Sequence, residues 1–252
     1  MNIAVLGGDG FLGSAIVKYF SERAFKVTAI NKQNYEEYVG KTFEVFINAN
    51  GNSKKFWANE NPGLDFEASV VSVEKSITKF NFKKYIYISS SDVYPDHGNK
   101  DLAIEDQEIN LERLESYGMH KCQAEQIIKK LPCYFILRCS AMVGENLKKG
   151  VIKDIQDNKE LFITLDSKLQ FISTNEIAHV IYELVSKNIA GGVFNLGGRG
   201  SVQISEVLVI FGRSLESRSD ANRQEYEMNV EKLNSIIPLM TSEEYIKKFI
   251  NK

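Results

Sequence analysis

The chain opens on Ile3-Ala4-Val5-Leu6-Gly7-Gly8-Asp9-Gly10-Phe11-Leu12-Gly13, and the order of residue types in this stretch decides the fold. Four apolar residues make a short buried strand and a glycine-rich turn follows. From Phe11 to Arg23, Leu12, Ile16, Val17 and Phe20 recur at helical spacing. A strand, a glycine turn and a helix N-terminus in succession form the context in which such a string holds a dinucleotide. Gly7, Gly10 and Gly13 fit G-x-x-G-x-x-G, and Gly8, Gly10 and Gly13 fit G-x-G-x-x-G equally well. In either register the first glycine permits the tight turn, Gly10 lets a pyrophosphate approach the backbone, and Gly13 lets the helix pack close to the strand. Phe11 and Leu12 would offer their N–H groups to the phosphates, where the helix dipole favours an anion. Asp9 adds a negative charge that repels phosphate unless its side chain points to solvent.

Outward from this turn, strand-like and helix-like segments alternate. Strands are expected at 26–30, 43–48, 85–89, 133–138 and 193–196, and amphipathic helices at 64–80, 113–130, 175–186 and 204–211, with a terminal helix from 240. The alternation weakens over 143–168. This pattern predicts βαβ units, a parallel sheet and a three-layer α/β Rossmann fold. We expect residues 1–140 to be mainly the dinucleotide-binding core of a single unit spanning 1–252. Residues 141–252 would supply further core elements and a small substrate-capping lobe from 143–173 and the C-terminal tail. The ribose selector belongs at the end of the second strand, about 20 residues past the turn. Asn31 stands there, followed by Lys32. Asn31 lacks the carboxylate that would repel a 2′-phosphate and Lys32 could pair with one, so the expected cofactor is NADP or NAD, with NADP favoured.

A second constellation suggests chemistry. Tyr117-Gly118-Met119-His120-Lys121 places a tyrosine and a lysine on one face of an expected helix. A lysine beside a phenol favours phenolate, so Tyr117 could exchange a proton near neutral pH. Upstream, Ser89-Ser90-Ser91-Asp92-Val93-Tyr94 lies at the C-terminal end of a strand, where open α/β sheets bind ligands. The glycine turn, this serine run and Tyr117-x-x-x-Lys121 together resemble the extended short-chain dehydrogenase/reductases of the NAD-dependent epimerase/dehydratase type, most of which act on nucleotide sugars. The resemblance covers roughly the first 200 residues and takes in Leu137 to Ser140, Phe171 to Ala178 and Val193 to Gly197. It implies Ser90, Tyr117 and Lys121 as catalytic residues. Ser90 would hydrogen-bond the reacting oxygen, Tyr117 would give or take its proton, and Lys121 would bind nicotinamide ribose and tune Tyr117. It also implies that Asn48-Ala49-Asn50 runs past the cofactor's ribose and phosphates. For Ser89 and Ser91, strand-end capping is the expectation.

Several positions depart from that pattern. Only about a dozen residues separate the strands at 26–30 and 43–48, so a further family strand is expected to be missing or reduced to a helical link at 35–39. Ala141 stands where sugar-nucleotide members often carry an asparagine, and Leu169 where many carry an arginine that grips the substrate diphosphate. Asp92 matches one acidic position of the sugar dehydratases and Ser91 stands at the other, which favours 4-keto reduction or 4-epimerisation over dehydration. His97, His120 and His179 read as packing or surface residues, and Phe56 and Trp57 as core in preference to lining the active-site mouth.

The remaining composition narrows the classes. With 31 basic and 33 acidic side chains, a net charge of −2 gives no reason to expect a nucleic acid or membrane partner. Cys122, Cys133 and Cys139 show no metal-binding spacing, so no metal site is expected. No signal peptide or spanning segment is read from the chain, and a cytoplasmic location follows. The expected function is an NAD(P)-dependent reductase or epimerase of a small-molecule sugar, nucleotide-linked, with a homodimer left open. The rivals are a non-catalytic dinucleotide-binding sensor or scaffold and a reductase of small non-sugar carbonyls.

Overall fold

A computed structural model describes residues 1–187 and 189–251. In chain order it has β1 (Asn2–Leu6), α1 (Phe11–Ser21), β2 (Lys26–Ile30), α2 (Tyr35–Tyr38), β3 (Thr42–Asn48), α3 (Lys55–Glu60) and α4 (Pro62–Phe66). A π-turn at Glu67–Val71 leads into α5 (Ser72–Lys79), then β4 (Asn81–Ser90), α6 (Ser116–Ile128) and β5 (Tyr134–Cys139). Next come β6 (Ala141–Val143), α7 (Val151–Gln156), β7 (Leu161–Ile163), β8 (Lys168–Leu169), β9 (Phe171–Ser173), α8 (Thr174–Ser186) and β10 (Gly192–Leu196). The last elements are β11 (Val202–Gln203), α9 (Ile204–Ile210), β12 (Ser217–Asn222), β13 (Glu225–Tyr226), α10 (Glu231–Asn234) and α11 (Ser242–Ile250).

Six strands form one parallel sheet in the order β10-β5-β4-β3-β1-β2. This is the Rossmann-like α/β architecture that the alternation predicts. β1 sits between β2 and β3, with Leu6 opposite both Ile30 and Asn48. Side chains of a strand alternate between faces. Ala4 and Leu6 accordingly join Phe46, Tyr85, Tyr87, Val73 of α5, and Ala124 and Ile128 of α6 in one buried cluster. α1 and α8 meet each other: the Tyr19 hydroxyl lies 2.9 Å from His179 Nδ1, and Arg23 covers the Tyr19 ring. His179 is thus a packing residue, as expected.

Between β2 and β3 the described residues carry only α2, so β2 is the sheet edge and the expected helical link is found. The expected single helix over 64–80 is instead three pieces, because Pro62 starts α4 and a π-turn follows it. The expected helix start at 113 moves to Ser116, after a 3-10 turn at Leu111–Arg113.

The chain divides into two compact units. One comprises Met1–Pro95, Glu108–Arg138 and Ala178–Phe194; the other comprises Asp96–Gln107, Cys139–Ile177 and Asn195–Lys252. Asp96–Gln107 therefore groups with the second unit, although it lies inside 1–140. The second unit has its own apolar cluster, in which Ile152 and Ile155 of α7, Leu161, Leu169, Phe171 and Val207 of α9 take part. Three small sheets, β11-β8-β13, β12-β7 and β6-β9, frame it.

Candidate active site

The glycine turn is built as its sequence suggests. Gly7 has φ of 79°, a conformation that side chains disfavour, and its N–H bonds the Ile30 carbonyl at 2.8 Å. A Cβ on Gly13 would stand 2.0 Å from the Gly7 carbonyl oxygen, so only glycine lets α1 approach the turn this closely. Gly8 is enclosed differently: its Cβ would meet the Ala29 side chain at 2.7 Å. The roles of turn, cradle and close packing thus fall to Gly7, Gly10 and Gly13. Gly10 is the N-cap of α1 and supplies no side-chain cap. The first helical bond runs from Ser14 N–H to the Gly10 carbonyl, so the N–H groups of Phe11, Leu12 and Gly13 precede the ladder and remain available. A Cβ on Gly10 would meet only the Gly7 carbonyl, at 3.0 Å. This cradle fits a pyrophosphate at a helix N-terminus. The Leu12 side chain is buried, so its contribution to such a cradle is its backbone.

At the end of β2, Asn31 is bound by its own loop. Its side-chain oxygen accepts the N–H groups of Gln33 and Asn34, and its amide nitrogen donates to Asp9. Lys32 is exposed and lines a cleft of about 610 Å³ with Asn50, Asn52, Trp57, Leu64 and Glu67. Trp57 is half-buried on this cleft and Phe56 is 76% exposed. The core expectation for both is corrected: α3 is only six residues long and one of its side chains, Ala58, is buried.

After β3, Ala49 N–H bonds the Leu6 carbonyl. Asn48 is fully buried, donates to the Tyr85 hydroxyl at 2.8 Å and accepts the Asn50 N–H at 3.0 Å. Its side chain therefore shapes the loop from within. Gly51, with φ of 124°, brings that loop to Lys121: a Cβ there would lie 3.6 Å from Lys121 Nζ.

Ser90, Tyr117 and Lys121 are all buried, at 9%, 9% and 5% exposure. Lys121 Nζ donates to the Ile88 carbonyl of β4 at 3.1 Å and lies 4.9 Å from the Tyr87 ring centre. Burial pushes the Tyr87 phenol well above its ordinary range, with the neighbouring Tyr117 adding to the shift. Ser90 ends β4 and caps the 3-10 turn Ser91–Val93. Its hydroxyl donates to Asp92 Oδ2 at 3.0 Å and accepts the Asp92 N–H at 3.2 Å. Asp92 also pairs with Lys55 at 3.1 Å, and Lys55 reaches Glu115 at 3.4 Å. The hydrogen bond from Asn59, more than Lys55, holds the Glu115 carboxyl below its usual range.

Three further contacts position α6 and the groups it carries. Gly118 is the contact of α6 with the Ser90 turn, since a Cβ there would stand 2.0 Å from the Asp92 carbonyl oxygen. Glu125, fully buried, pairs with Arg138 of β5 at 2.7 Å and accepts the Ser89 hydroxyl at 2.6 Å. Ser89 is therefore not a strand-end cap but a tie from β4 to α6. Burial alone would depress the Arg138 guanidinium, yet the Glu125 charge and hydrogen bonds, with the Tyr94 hydroxyl at 2.7 Å, hold it above its ordinary value. His120 Nδ1 meets the buried Asp65 of α4 at 2.7 Å, and Asp65 also accepts from Asn52. A tyrosine–lysine spacing carries no sign of such long-range partners.

Comparison with known proteins extends this reading. The model of the NAD dependent epimerase/dehydratase family matches residues 3–197. A GDP-6-deoxy-D-talose 4-dehydrogenase of Aggregatibacter actinomycetemcomitans is 25% identical over 221 residues, 78% of this chain and 74% of that protein. Among solved structures, a dTDP-4-dehydrorhamnose reductase of Clostridium acetobutylicum matches with a TM-score of 0.81 over 100% of this chain and 99% of its own, at 18% identity. The dTDP-4-dehydrorhamnose reductase of Bacillus anthracis in complex with NADP matches with a TM-score of 0.79 over 99% and 98%, at 15% identity. At these identities the structural likeness is one of fold. No helix among the described residues is long and apolar enough to cross a membrane. With its glycine cradle, its strand order and a family match across residues 3–197, the chain belongs to the NAD dependent epimerase/dehydratase family.

Proposed function

We propose that the chain is an NAD(P)-dependent oxidoreductase or epimerase that acts on a nucleotide-linked sugar by 4-keto reduction or 4-epimerisation. The observation that carries this reading is the placement of the cradle at the C-terminal end of β1 and of Ser90 at the C-terminal end of β4, in one parallel sheet. Lys121 reaches both β4 and the loop after β3. A protein that only bound dinucleotide would have no use for Ser90, Tyr117 and Lys121 together.

In this reading the backbone N–H groups of Phe11 and Leu12, beside Gly7 and Gly10, hold the pyrophosphate, and Ala49 and Asn50 line the path of the ribose. Lys121, fixed on the Ile88 carbonyl, binds the nicotinamide ribose and favours the phenolate of Tyr117. Tyr117 gives or takes the proton of the substrate hydroxyl, and Ser90 turns its hydroxyl from Asp92 to that oxygen. The nicotinamide, when bound, supplies the hydride chemistry. Asp92 is engaged by Ser90 and Lys55, which supports redox at C4 over water elimination. Lys32, exposed on the cleft, is the residue able to pair with a 2′-phosphate. The nucleotide-sugar class rests on the relatives, whose names specify GDP- and dTDP-linked deoxy sugars.

The test is incubation of the chain with NAD, NADP or their reduced forms and a panel of UDP-, GDP- and dTDP-linked hexoses and 4-keto-6-deoxyhexoses, with products separated chromatographically. Oxidation of reduced cofactor with a new 4-hydroxy sugar identifies a reductase. A C4 epimer with no net cofactor change identifies an epimerase. Dinucleotide binding without turnover of any panel member contradicts the proposal.

A further inference from the structure

We infer that Asp9, from the glycine turn, supplies the carboxylate that the end of β2 lacks, and that it selects NAD against NADP. The inference rests on the dinucleotide reading of the turn. At the C-terminal end of β2, a carboxylate accepts the two adenosine ribose hydroxyls and repels a 2′-phosphate. Asn31 occupies that position, but its side-chain oxygen is already used by the N–H groups of Gln33 and Asn34. Asn31 is itself held by Asn34, whose side chain accepts the Asn31 N–H at 2.8 Å and donates to the Ala29 carbonyl. The one direction left to the Asn31 side chain is its amide, and that donates to Asp9 Oδ2 at 2.5 Å. An asparagine tied into its own loop therefore fixes a carboxylate that arrives from 22 residues earlier in the chain.

The placement answers the question raised by the acid in the turn. Asp9 is exposed, and its carboxylate is held at the end of β2 by the Asn31 amide. One of its oxygens is shared with Asn31, and the other is open to accept a ribose hydroxyl. A 2′-phosphate at this place would put its charge beside that carboxylate. Lys32 follows Asn31 and opposes the repulsion, but it is an exposed lysine on a mobile four-carbon stem, whereas Asp9 is fixed by a hydrogen bond. From sequence, the preference for NADP rests on two residues, Asn31 without a charge and Lys32 with one. The fold returns an acid to that spot from another segment, which reverses the preference.

The experiment is equilibrium titration of the full chain with NAD and with NADP at low salt. The variants are Asp9→Asn, which keeps the shape and an acceptor for the Asn31 amide, and Lys32→Ala. We expect the wild type to bind NAD more tightly. Asp9→Asn should shift the NAD-to-NADP affinity ratio toward NADP by about tenfold or more, as expected for losing one charge–charge repulsion at close range. The wild-type ratio should narrow with added salt, because the repulsion is screened. Lys32→Ala should weaken NADP alone. A wild type that prefers NADP, or a ratio untouched by Asp9→Asn, overturns this assignment and leaves the cofactor reading standing. A chain that binds neither dinucleotide overturns both.

Discussion

Two glycines in helices separate packing from propensity. Gly118 lies in α6, where alanine would ordinarily favour the helix, but the added Cβ would collide with the Asp92 carbonyl. Gly118→Ala is expected to lower stability by about 1–3 kcal/mol, the usual cost of forcing extra volume into a packed contact, and to slow turnover by displacing the Ser90 turn. Gly63, in α4, has open space around its missing Cβ, and Gly63→Ala should be neutral or mildly stabilising. Chemical denaturation of both variants checks the contrast. If the two behave alike, α6 does not sit on the turn as described. At this scale the sequence makes local geometry legible wherever it depends on near neighbours. Gly7, Gly10 and Gly13, and the Tyr117–Lys121 pair, are short strings with their own physics. Gly118 and Asp9 are not legible in that way, because each takes its meaning from a partner far along the chain. Gly118 looks like any residue inside Tyr-x-x-x-Lys, and Asp9 looks like a misplaced charge until Asn31 is beside it.

α6 is the element on which the proposed chemistry turns, and three kinds of contact fix it. Gly118 meets the Ser90 turn, His120 meets Asp65 of α4, and Glu125 binds Arg138 of β5 and Ser89 of β4. Glu125→Ala would leave the Arg138 guanidinium buried without its counter-charge, and a loss of about 3–5 kcal/mol is expected. Ser89→Ala removes one hydrogen bond to a charged group and should cost about 1–3 kcal/mol. Unfolding free energies measured in urea decide this, and near-wild-type stability in Glu125→Ala would contradict the buried pair. The first turn of α1 invites a parallel test. Gly10→Asp places a carboxylate where the cradle N–H groups converge, so dinucleotide affinity should fall severely while the circular dichroism spectrum is kept. Unchanged affinity would place the pyrophosphate elsewhere. Element types were readable from periodicity for β1, α1, β2, β3, α6 and β5. The broken helix over 62–79 was not, because its apolar spacing continues through the π-turn that interrupts it.

For the molecule as a whole, buried tyrosines set a limit on the alkaline side. Burial raises Tyr85 above 10, against the opposing hydrogen bonds from Ser76 and Asn48, and raises Tyr87 and Tyr245 as well. The Tyr87 hydroxyl has no hydrogen-bond partner among the described residues. Each of these groups holds its proton in the folded chain at pH values where the unfolded chain has released it. Their stabilising contribution is therefore complete below pH 10 and declines as pH rises beyond it, by up to about 1.4 kcal/mol per pH unit for each tyrosine. Phenolate absorbance should show a set of tyrosines that ionise only together with unfolding; independent titration of all 11 would contradict this. The parallel sheet also places β1 and β4 on either side of β3, and so collects the cradle and Ser90 at one end of the sheet. In the proposed reaction these groups hold the cofactor and deliver the proton, while the bound nicotinamide would supply the hydride. The most direct measurement of that proton delivery is the single-turnover rate of wild type and Tyr117→Phe, each loaded to saturation with reduced cofactor and mixed with a nucleotide-linked 4-keto sugar. Cofactor affinity should be equal in the two proteins. Oxidation of the nicotinamide should be about 10²–10⁴-fold slower in Tyr117→Phe, the range for loss of general acid catalysis. Equal oxidation rates in the two proteins would contradict a proton-donating role for Tyr117.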